Sequence, residues 1–424
     1  GMLGHSTATG ERLACCERIR QAVSRLQVWI EEHRSEGYDP FDGLASPYAR
    51  FLRGGASYVG LLRTVWQQTV MRAPVNLRPI LGVRPAANYK AMAYFAMAYL
   101  SLFRISGNDD YRNRAIACLE WLLDRANREY AGFAWSNPHD YQSRLFYLPQ
   151  GVPTVVGTSH CARAFLDAYE TLGEARYMEV ARSVCDFILE DLPRFRDVGD
   201  GFCFSYIPTA QVNVHNANML AVAVLCRVYL HTEESALAEA ADAAARYTIS
   251  YQLPDGSWYY GEAANLRWVD SFHSGYVLDS LSQFAALSQD RAVLSAIRRG
   301  RRFFVDRFFG TDGAPLMYAG KRYPVDIQGA AQSIETLVVC AREEPCLMAK
   351  AIATAEWTID HLQSADGYFA FRQYRFRTDW TPHIHWGQAT MLSALSHLLE
   401  ANPPLLGQSA SHGPTGSWKG QHLP

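Results

Sequence analysis

Apolar residues recur with a helical period along almost the whole chain, and no convincing run of alternating apolar and polar residues marks a sheet. The pattern predicts a first helix over 11–33 and a shorter one over 58–70, followed by the proline-containing stretch 74–85. Helix pairs follow at 86–105 and 111–126, 154–172 and 175–190, 215–230 and 234–251, 271–287 and 291–308, and 327–341 and 345–362. A last helix, 382–399, has no partner after it. The N-terminal helix is expected to supply one and close a ring. The repeat is about 55–60 residues, longer than common solenoid periods.

The connections are of two kinds. Turns within a pair are tight, as in Ser106-Gly107-Asn108-Asp109-Asp110 and Leu172-Gly173-Glu174. Loops between pairs are longer and rich in glycine and aromatics, as in Gly132-Phe133-Ala134-Trp135, Gly201-Phe202-Cys203-Phe204 and Gly256-Ser257-Trp258-Tyr259-Tyr260. Such a ring has one plain rim and one decorated rim, and function is expected on the decorated one. Residues 11–400 therefore read as one all-α domain. Residues 1–10 read as a tag remnant and tail, with Gly1 before Met2, and 401–424 as a Gly/Pro/Ser-rich tail.

Polar pairs recur at the starts of the apolar helices: His160 with Arg163, His215 with Asn218, His273 with Tyr276, Gln328 with Gln332, and His385 with Gln388. Each pair is three or four residues apart and so shares a helical face. If the helix starts gather on one rim, the pairs converge on a single pocket lined by histidines, amides and aromatics. Small-molecule or glycan chemistry is the expectation.

Composition narrows this further. The 424 residues are 49% hydrophobic and 19% charged, with net charge −2, which gives no support for a nucleic-acid partner. The basic residues are arginine except for Lys90, Lys321, Lys350 and Lys419. Nine cysteines, several within apolar helical runs, lack metal-type spacing and read as reduced thiols of a cytoplasmic protein. No apolar stretch approaches the length of a membrane span. His383-Ile384-His385 lacks a third ligand at a clear spacing, so neither a metal nor a cofactor is expected.

Two loops share a motif. Gln252-Leu-Pro-Asp-Gly256-Ser-Trp258 fits Gln-x3-Gly-x-Trp, and Gln363-Ser-Ala-Asp-Gly367-Tyr-Phe369 is a degenerate copy. The motif resembles the structural repeat of triterpene cyclases. The alternation of helix pairs over 86–399 resembles the (α/α)6 toroid superfamily: six-hairpin glycosidases, toroidal polysaccharide lyases, sugar epimerases and terpenoid cyclases. His215-Asn216-Ala217-Asn218, Asp255-Gly-Ser-Trp-Tyr-Tyr-Gly-Glu262 and Trp268-Val-Asp270-Ser-Phe-His273-Ser-Gly-Tyr276 resemble bacterial proteins encoded among exopolysaccharide-biosynthesis genes. That resemblance implies a pathway more than a reaction. Cyclase chemistry is disfavoured, because no Asp-x-Asp-Asp cluster is present and the expected pocket is polar.

Glycan processing is the favoured reading, with an oligo- or polysaccharide as substrate. Hydrolysis needs two carboxyl groups flanking the scissile bond. Asp270 and Asp326, each opening a ring helix, form the expected pair, with Asp270 as general acid beside His273 and Asp326 activating water. Each is also a natural helix N-cap. Glu262 and Asp379 are reserves, while Asp279 and Glu335 lie deeper, at the floor. The lyases and epimerases of the superfamily imply alternatives. His215 or His273, Asn216 or Asn218, and Tyr260 or Tyr276 fit a uronate lyase, and His160, His273 and His385 fit an epimerase. Arg267, Gln328 and Gln388 complete the expected substrate contacts, with Trp380 and Trp386 as sugar platforms. A non-catalytic glycan-binding protein would carry the same aromatics without the paired carboxylates.

Overall fold

Helices that are apolar on nearly every face need burial on all sides, and six of them stand in a closed ring. The computed structural model describes residues 2–54, 59–144, 146–196 and 201–402. Its helices in chain order are α1 (Met2–Glu32), α2 (Gly60–Arg72), α3 (Tyr89–Ser106), α4 (Asp109–Asp124), α5 (Val155–Leu172), α6 (Ala175–Asp186), α7 (His215–Thr232), α8 (Ser235–Ser250), α9 (Ser271–Phe284), α10 (Arg291–Arg307), α11 (Ile327–Cys340), α12 (Leu347–Leu362) and α13 (Thr390–Ala401). The odd-numbered helices α3 to α13 form the inner ring, each packed on the next, with α13 returning to α3. Helices α4, α6, α8, α10 and α12, buried on one side only, form the outer layer, and α1 packs behind α13 as the sixth outer helix. This is the expected (α/α)6 toroid, closed by the N-terminal helix. The helix starts at Met2 rather than at residue 11, so residues 2–10 are not a separate tail. The expected tail beyond residue 402 lies outside the described residues.

The inner helices start together at the rim of long loops, and four of the six, α3, α5, α9 and α11, are held by side-chain caps. Asn88 accepts from the Lys90 and Ala91 amides, Thr154 from Gly157, Asp270 from His273, and Asp326 from Gln328 and Gly329. Each cap satisfies helix N–H groups that lack an intrahelical partner. The long loops carry two-residue strands: β1 (Tyr141–Gln142) with β2 (Tyr147–Leu148), β3 (Arg194–Phe195) with β4 (Cys203–Phe204), and β5 (Val325–Asp326), β6 (Arg372–Gln373) and β7 (Thr378–Asp379) in one sheet. In the last sheet Asp326 lies opposite Arg372.

The two copies of the glutamine–glycine motif do the same work. Gln252 Nε2 donates to Gly256 O (2.9 Å) and to Ala296 O (2.9 Å) on the next outer helix, α10. Gln363 Nε2 donates to Gly367 O (2.8 Å) and to Ala22 O (2.9 Å) on α1. Arg299 and Arg25 then donate to the two glutamine oxygens, each at 2.6 Å. The degenerate copy thus fastens α1 into the sixth outer position. Trp135 and Trp258 are buried, their indoles bonded to Leu122 O and Thr248 O, so both are loop packing rather than sugar platforms.

The motif glycine has no substitute. Gly367 has φ +101, and a Cβ there would meet Arg25 O at 2.4 Å, a backbone atom that cannot swing aside. Gly107 also has positive φ, +65, but faces open space. We expect Gly107→Ala to cost about 1–2 kcal/mol, the left-handed penalty alone. Gly367→Ala should cost clearly more and lower Tm by several further degrees in calorimetry. Equal melting of the two variants would remove the close contact as the cause.

A separate layer covers the decorated rim. It comprises 3-10 turns at Asp42–Ala45 and Pro47–Leu52, then α2 and the segment up to Asn88. A buried ion pair, Arg78 Nε to Asp42 Oδ1 at 2.6 Å, ties its two ends. Ile384 N donates to Tyr38 O (2.9 Å), and Phe41 packs edge-on against Trp386 (5.5 Å) and Tyr141 (5.2 Å), seating this cap over the starts of the inner helices.

Candidate functional site

The loop after α8 and the first turns of α7 and α9 enclose a small space. Asn216, Trp258, Tyr259, Tyr260, Trp268, Asp270, His273, Ser274 and Val277 line it, and its volume is about 10 Å³. That is room for about one water, so a sugar ring fits only after the aromatics move.

Asp270 organises this space. It is 3% exposed. Its Oδ1 caps α9 through the His273 amide (2.9 Å), while Oδ2 lies 2.6 Å from His273 Nδ1 and accepts from Trp268 Nε1 (2.9 Å). The cap position and the i,i+3 spacing explain why one carboxylate reaches both the backbone and the ring of the same residue. With Nδ1 engaged, Nε2 is the nitrogen left for a substrate. Tyr260 stacks on Trp268 (centroids 4.5 Å, 20° between planes) and lies 4.5 Å from the His273 ring. Asn216 Oδ1, fully enclosed at the same space, has no hydrogen-bond partner. Asp270, His273, Tyr260 and Asn216 thus line one space.

A second group meets on the toroid axis. Tyr276 OH accepts from Gln328 Nε2 (2.7 Å) and lies 3.2 Å from Tyr94 OH. Tyr94 OH is 3.4 Å from His160 Nδ1, and the Tyr94 and His385 rings are 5.9 Å apart. His385 Nδ1 sits 4.0 Å from Asp39 Oδ2 of the cap, while its Nε2 and Gln328 Oε1 have no partner. Tyr94 was not among the expected site residues. Its signal was available, since it is one of few polar tips on an otherwise apolar ring helix. Asp39 belongs to the cap, which sequence reasoning left without a role.

Other expected residues face elsewhere. Asn218 turns outward: its Oδ1 accepts from the Phe204 amide (2.9 Å), and its Nδ2 donates to Ala244 O (2.8 Å) and Thr248 Oγ1 (3.0 Å). Gln388 does the same for Phe369, accepting from its amide (2.7 Å) and donating to its carbonyl (2.9 Å). These two amides clamp loop backbone, and neither is open to a substrate. His215 is bonded at both nitrogens, to Glu262 Oε1 (2.9 Å) and Thr248 Oγ1 (3.2 Å). Arg267 is exposed and donates to Glu262 O (3.0 Å). Trp380 is exposed beyond the sheet, edge-on to Tyr368 (6.5 Å). Trp386 is wedged between Phe41 and Phe272.

Asp326 is fully occupied. Its Oδ1 caps α11 through Gln328 N (2.9 Å) and Gly329 N (3.2 Å), its Oδ2 accepts from Arg372 Nε (2.5 Å), and the Trp386 indole reaches both oxygens (3.1 and 3.3 Å). At 1% exposure it leaves no lone pair for water activation. At the floor, Glu335 holds His397 Nδ1 (2.8 Å), and Asp279 accepts from Gln332 (2.7 Å). The larger depression, about 460 Å³, lies on the outer rim among Tyr323, Tyr374, Arg375, Phe376 and Arg377, apart from Asp270 and His273.

Burial sets the protonation of the axis. It holds the His160 imidazole well below its ordinary value, with Arg163 adding to the effect, and pushes His385 down to about 3, with Lys90 assisting. Both rings are neutral in the folded protein at neutral pH. An unfolded histidine titrates near ~6.5. Below that pH the unfolded chain binds protons that the folded chain does not, so stability falls as pH drops from about 6.5 toward 3. Asp279 works oppositely: burial lifts its carboxyl to about 7, so its contribution is present at acid pH and fades as pH rises to 7. We expect Tm to fall between pH 6 and pH 4, and His385→Gln to show a shallower fall in thermal melts. An unchanged slope would exclude His385 as a source of the acid sensitivity.

No protein-family model matches the sequence, and no curated protein matches it. Solved structures do match the fold. A family 76 α-mannanase of Bacteroides thetaiotaomicron superposes with TM-score 0.59 at 13% identity, covering 76% of this chain and 88% of the mannanase. A cellobiose 2-epimerase from Spirochaeta thermophila gives 0.56 at 13% identity over 74% and 86% of the two chains. A D-mannose isomerase gives 0.57 at 10% identity, again over 74% and 86%. At these identities the likeness concerns the toroid fold.

Proposed function

We propose that this protein is a carbohydrate-active enzyme that moves protons on a saccharide through imidazole chemistry, as a sugar epimerase or isomerase does. The single observation that carries the reading is the Asp270–His273 pair. The carboxylate fixes the ring at Nδ1 (2.6 Å) and is itself held by Trp268 and the helix cap. The free Nε2 is then a positioned base or acid. The proton on carbon 2 of an open-chain aldose is acidified by the adjacent carbonyl. His273 removes it, leaving an enediolate. The proton held on His273 Nε2 then returns to carbon 1, with the O2 proton passing to O1, to give the ketose, while a solvent-derived proton on the opposite face of carbon 2 gives the epimer. His385, whose Nε2 is unpartnered, belongs to the neighbouring axial group, and as a neutral imidazole it can orient a sugar hydroxyl rather than supply the proton. Tyr260 and Trp268 supply the flat apolar faces that sugars stack on. The fold is shared with proteins named as epimerase and isomerase, which is consistent with this assignment.

Two-carboxylate hydrolysis by Asp270 and Asp326 has less support, because Asp326 is consumed by Arg372, Trp386 and the helix cap. Glycoside hydrolysis remains the second reading on a different residue. Glu262 is two positions from Tyr260, its side chain is 27% exposed, and it pairs with His215.

The test is incubation of the protein in D₂O with mannose, glucose and their β-linked disaccharides. Deuterium appearing at carbon 2, followed by mass spectrometry and NMR, is the expected result. Release of reducing ends without exchange would replace proton transfer by hydrolysis. Saccharide binding without either would leave a binding protein.

A further inference from the structure

The first half of the cap helix buries polar side chains and exposes apolar ones. On α2, Arg63 and Gln67 are buried (3% and 1% exposed), while Leu61, Leu62 and Val65 stand in solvent (74%, 55% and 55%). The inward face is held by polar contacts. Arg63 donates to Gln142 Oε1 (2.8 Å) and to the Gly54 carbonyl (2.8 Å), its guanidinium lies over the Tyr147 ring, and Gln67 exchanges hydrogen bonds with the Gln142 backbone. Val70 and Met71, in its last turn, are buried, so the apolar side chains left uncovered are those of its first two turns, Leu61, Leu62 and Val65.

The neighbouring segments repeat the pattern. Phe51 and Tyr48, in the turn joined to α2 through Arg63 and the Leu52 carbonyl, are 71% and 64% exposed. Ile80, in the turn tied to Ser46 through the Leu81 carbonyl, is 76% exposed. Large apolar side chains exposed in one layer mark an interaction surface.

Beyond Asp39 and the buried Asp42, the charge on this layer has one sign. No aspartate or glutamate occurs between Asp42 and Asp109 in the sequence. Arg50, Arg72 and Arg84 are exposed, and none has a carboxylate partner among the described residues. Arg377 donates to the Arg72 carbonyl (3.3 Å), so the layer continues into the rim depression with Arg375 and the 89% exposed Phe376.

We propose that this cap face docks on an anionic lipid surface. Apolar side chains that enter the headgroup boundary, flanked by guanidiniums that pair with phosphates, are what such a surface binds. A second copy of this chain fits less well, because a two-fold contact would set arginine against arginine. No described helix is long and apolar enough to cross a membrane, so the contact is peripheral.

The test is co-sedimentation of the full chain with vesicles of phosphatidylcholine, alone or mixed with phosphatidylglycerol. Binding to the mixed vesicles only, weakened by salt, is expected. Leu62→Glu with Val65→Glu should abolish it. Arg50→Glu with Arg72→Glu should lower it at least ~5-fold per charge. Arg298→Glu with Arg302→Glu, on the outer face of α10, should leave it intact. All these positions are exposed, and unchanged circular dichroism melts would exclude misfolding. No vesicle binding, equal binding to neutral vesicles, or equal loss from the α10 reversals would overturn the proposal. So would a dimer, seen by sedimentation, that Leu62→Glu dissolves while vesicles bind nothing.

Discussion

Replacing His273 with glutamine is expected to lower the rate of proton exchange at carbon 2 by roughly 10²–10⁴-fold, the usual weight of one general base. Stability should change little, because the Asp270 cap acts on the backbone amide of residue 273 and survives the substitution. Asp270→Asn is the sharper experiment. Asparagine caps helices as well as aspartate does, so its oxygen keeps the bond to the residue 273 amide while its NH2 replaces the oxygen that faced the Trp268 indole and Nδ1. What it loses is the charge that fixes the proton on Nδ1 and stabilises the imidazolium formed during the reaction. A fall of comparable size in kcat, with an unchanged Tm and a small change in KM, would place the two residues in one unit. The double variant should then be no slower than the single ones, since groups acting together are not additive. Normal turnover in Asp270→Asn would reduce Asp270 to a helix cap and withdraw the proposed mechanism.

Much of the architecture was legible because it rests on local pattern. The helical period gave every ring helix, and the glutamine–glycine copies marked two of the interlocked loops, including the one that fastens α1. The site was less legible, for a reason built into the fold. An inner helix is buried on all sides, so periodicity identifies a polar face without telling whether it looks at the axis or at the outer layer. His215 and Asn218 look outward, toward Thr248 on α8, while His160 looks at the axis. At the last ring helix a further effect enters. Residues Ile384–Ala389 form a π-helical turn, which shifts the register, and His385 and Gln388 part company. Asp39 and Arg372 reach their partners across long sequence separations that no local spacing records.

Asp326 tests the boundary between scaffold and chemistry. Asp326→Ala is expected to cost about 3–5 kcal/mol, because it leaves the largely buried Arg372 guanidinium without its counter-charge and also removes the α11 cap and the Trp386 acceptor. Asp326→Asn should cost less, since its oxygen keeps the cap and the indole contact while only the charge is lost. Arg372→Met in the Asp326→Asn background should recover part of the loss, because the unpaired cation is then gone. Denaturant unfolding of the four proteins in a double-mutant cycle gives the coupling between the pair. A coupling near zero would show that Arg372 is already satisfied by solvent and that the cap carries the whole effect. The same variants decide the chemistry. If Asp326→Asn folds with native stability yet abolishes glycosidic cleavage, the carboxylate is catalytic after all and paired hydrolysis with Asp270 displaces the imidazole mechanism. If it loses stability and, once folded, still exchanges the carbon 2 proton, Asp326 belongs to the wall of the site, where its four engaged contacts place it.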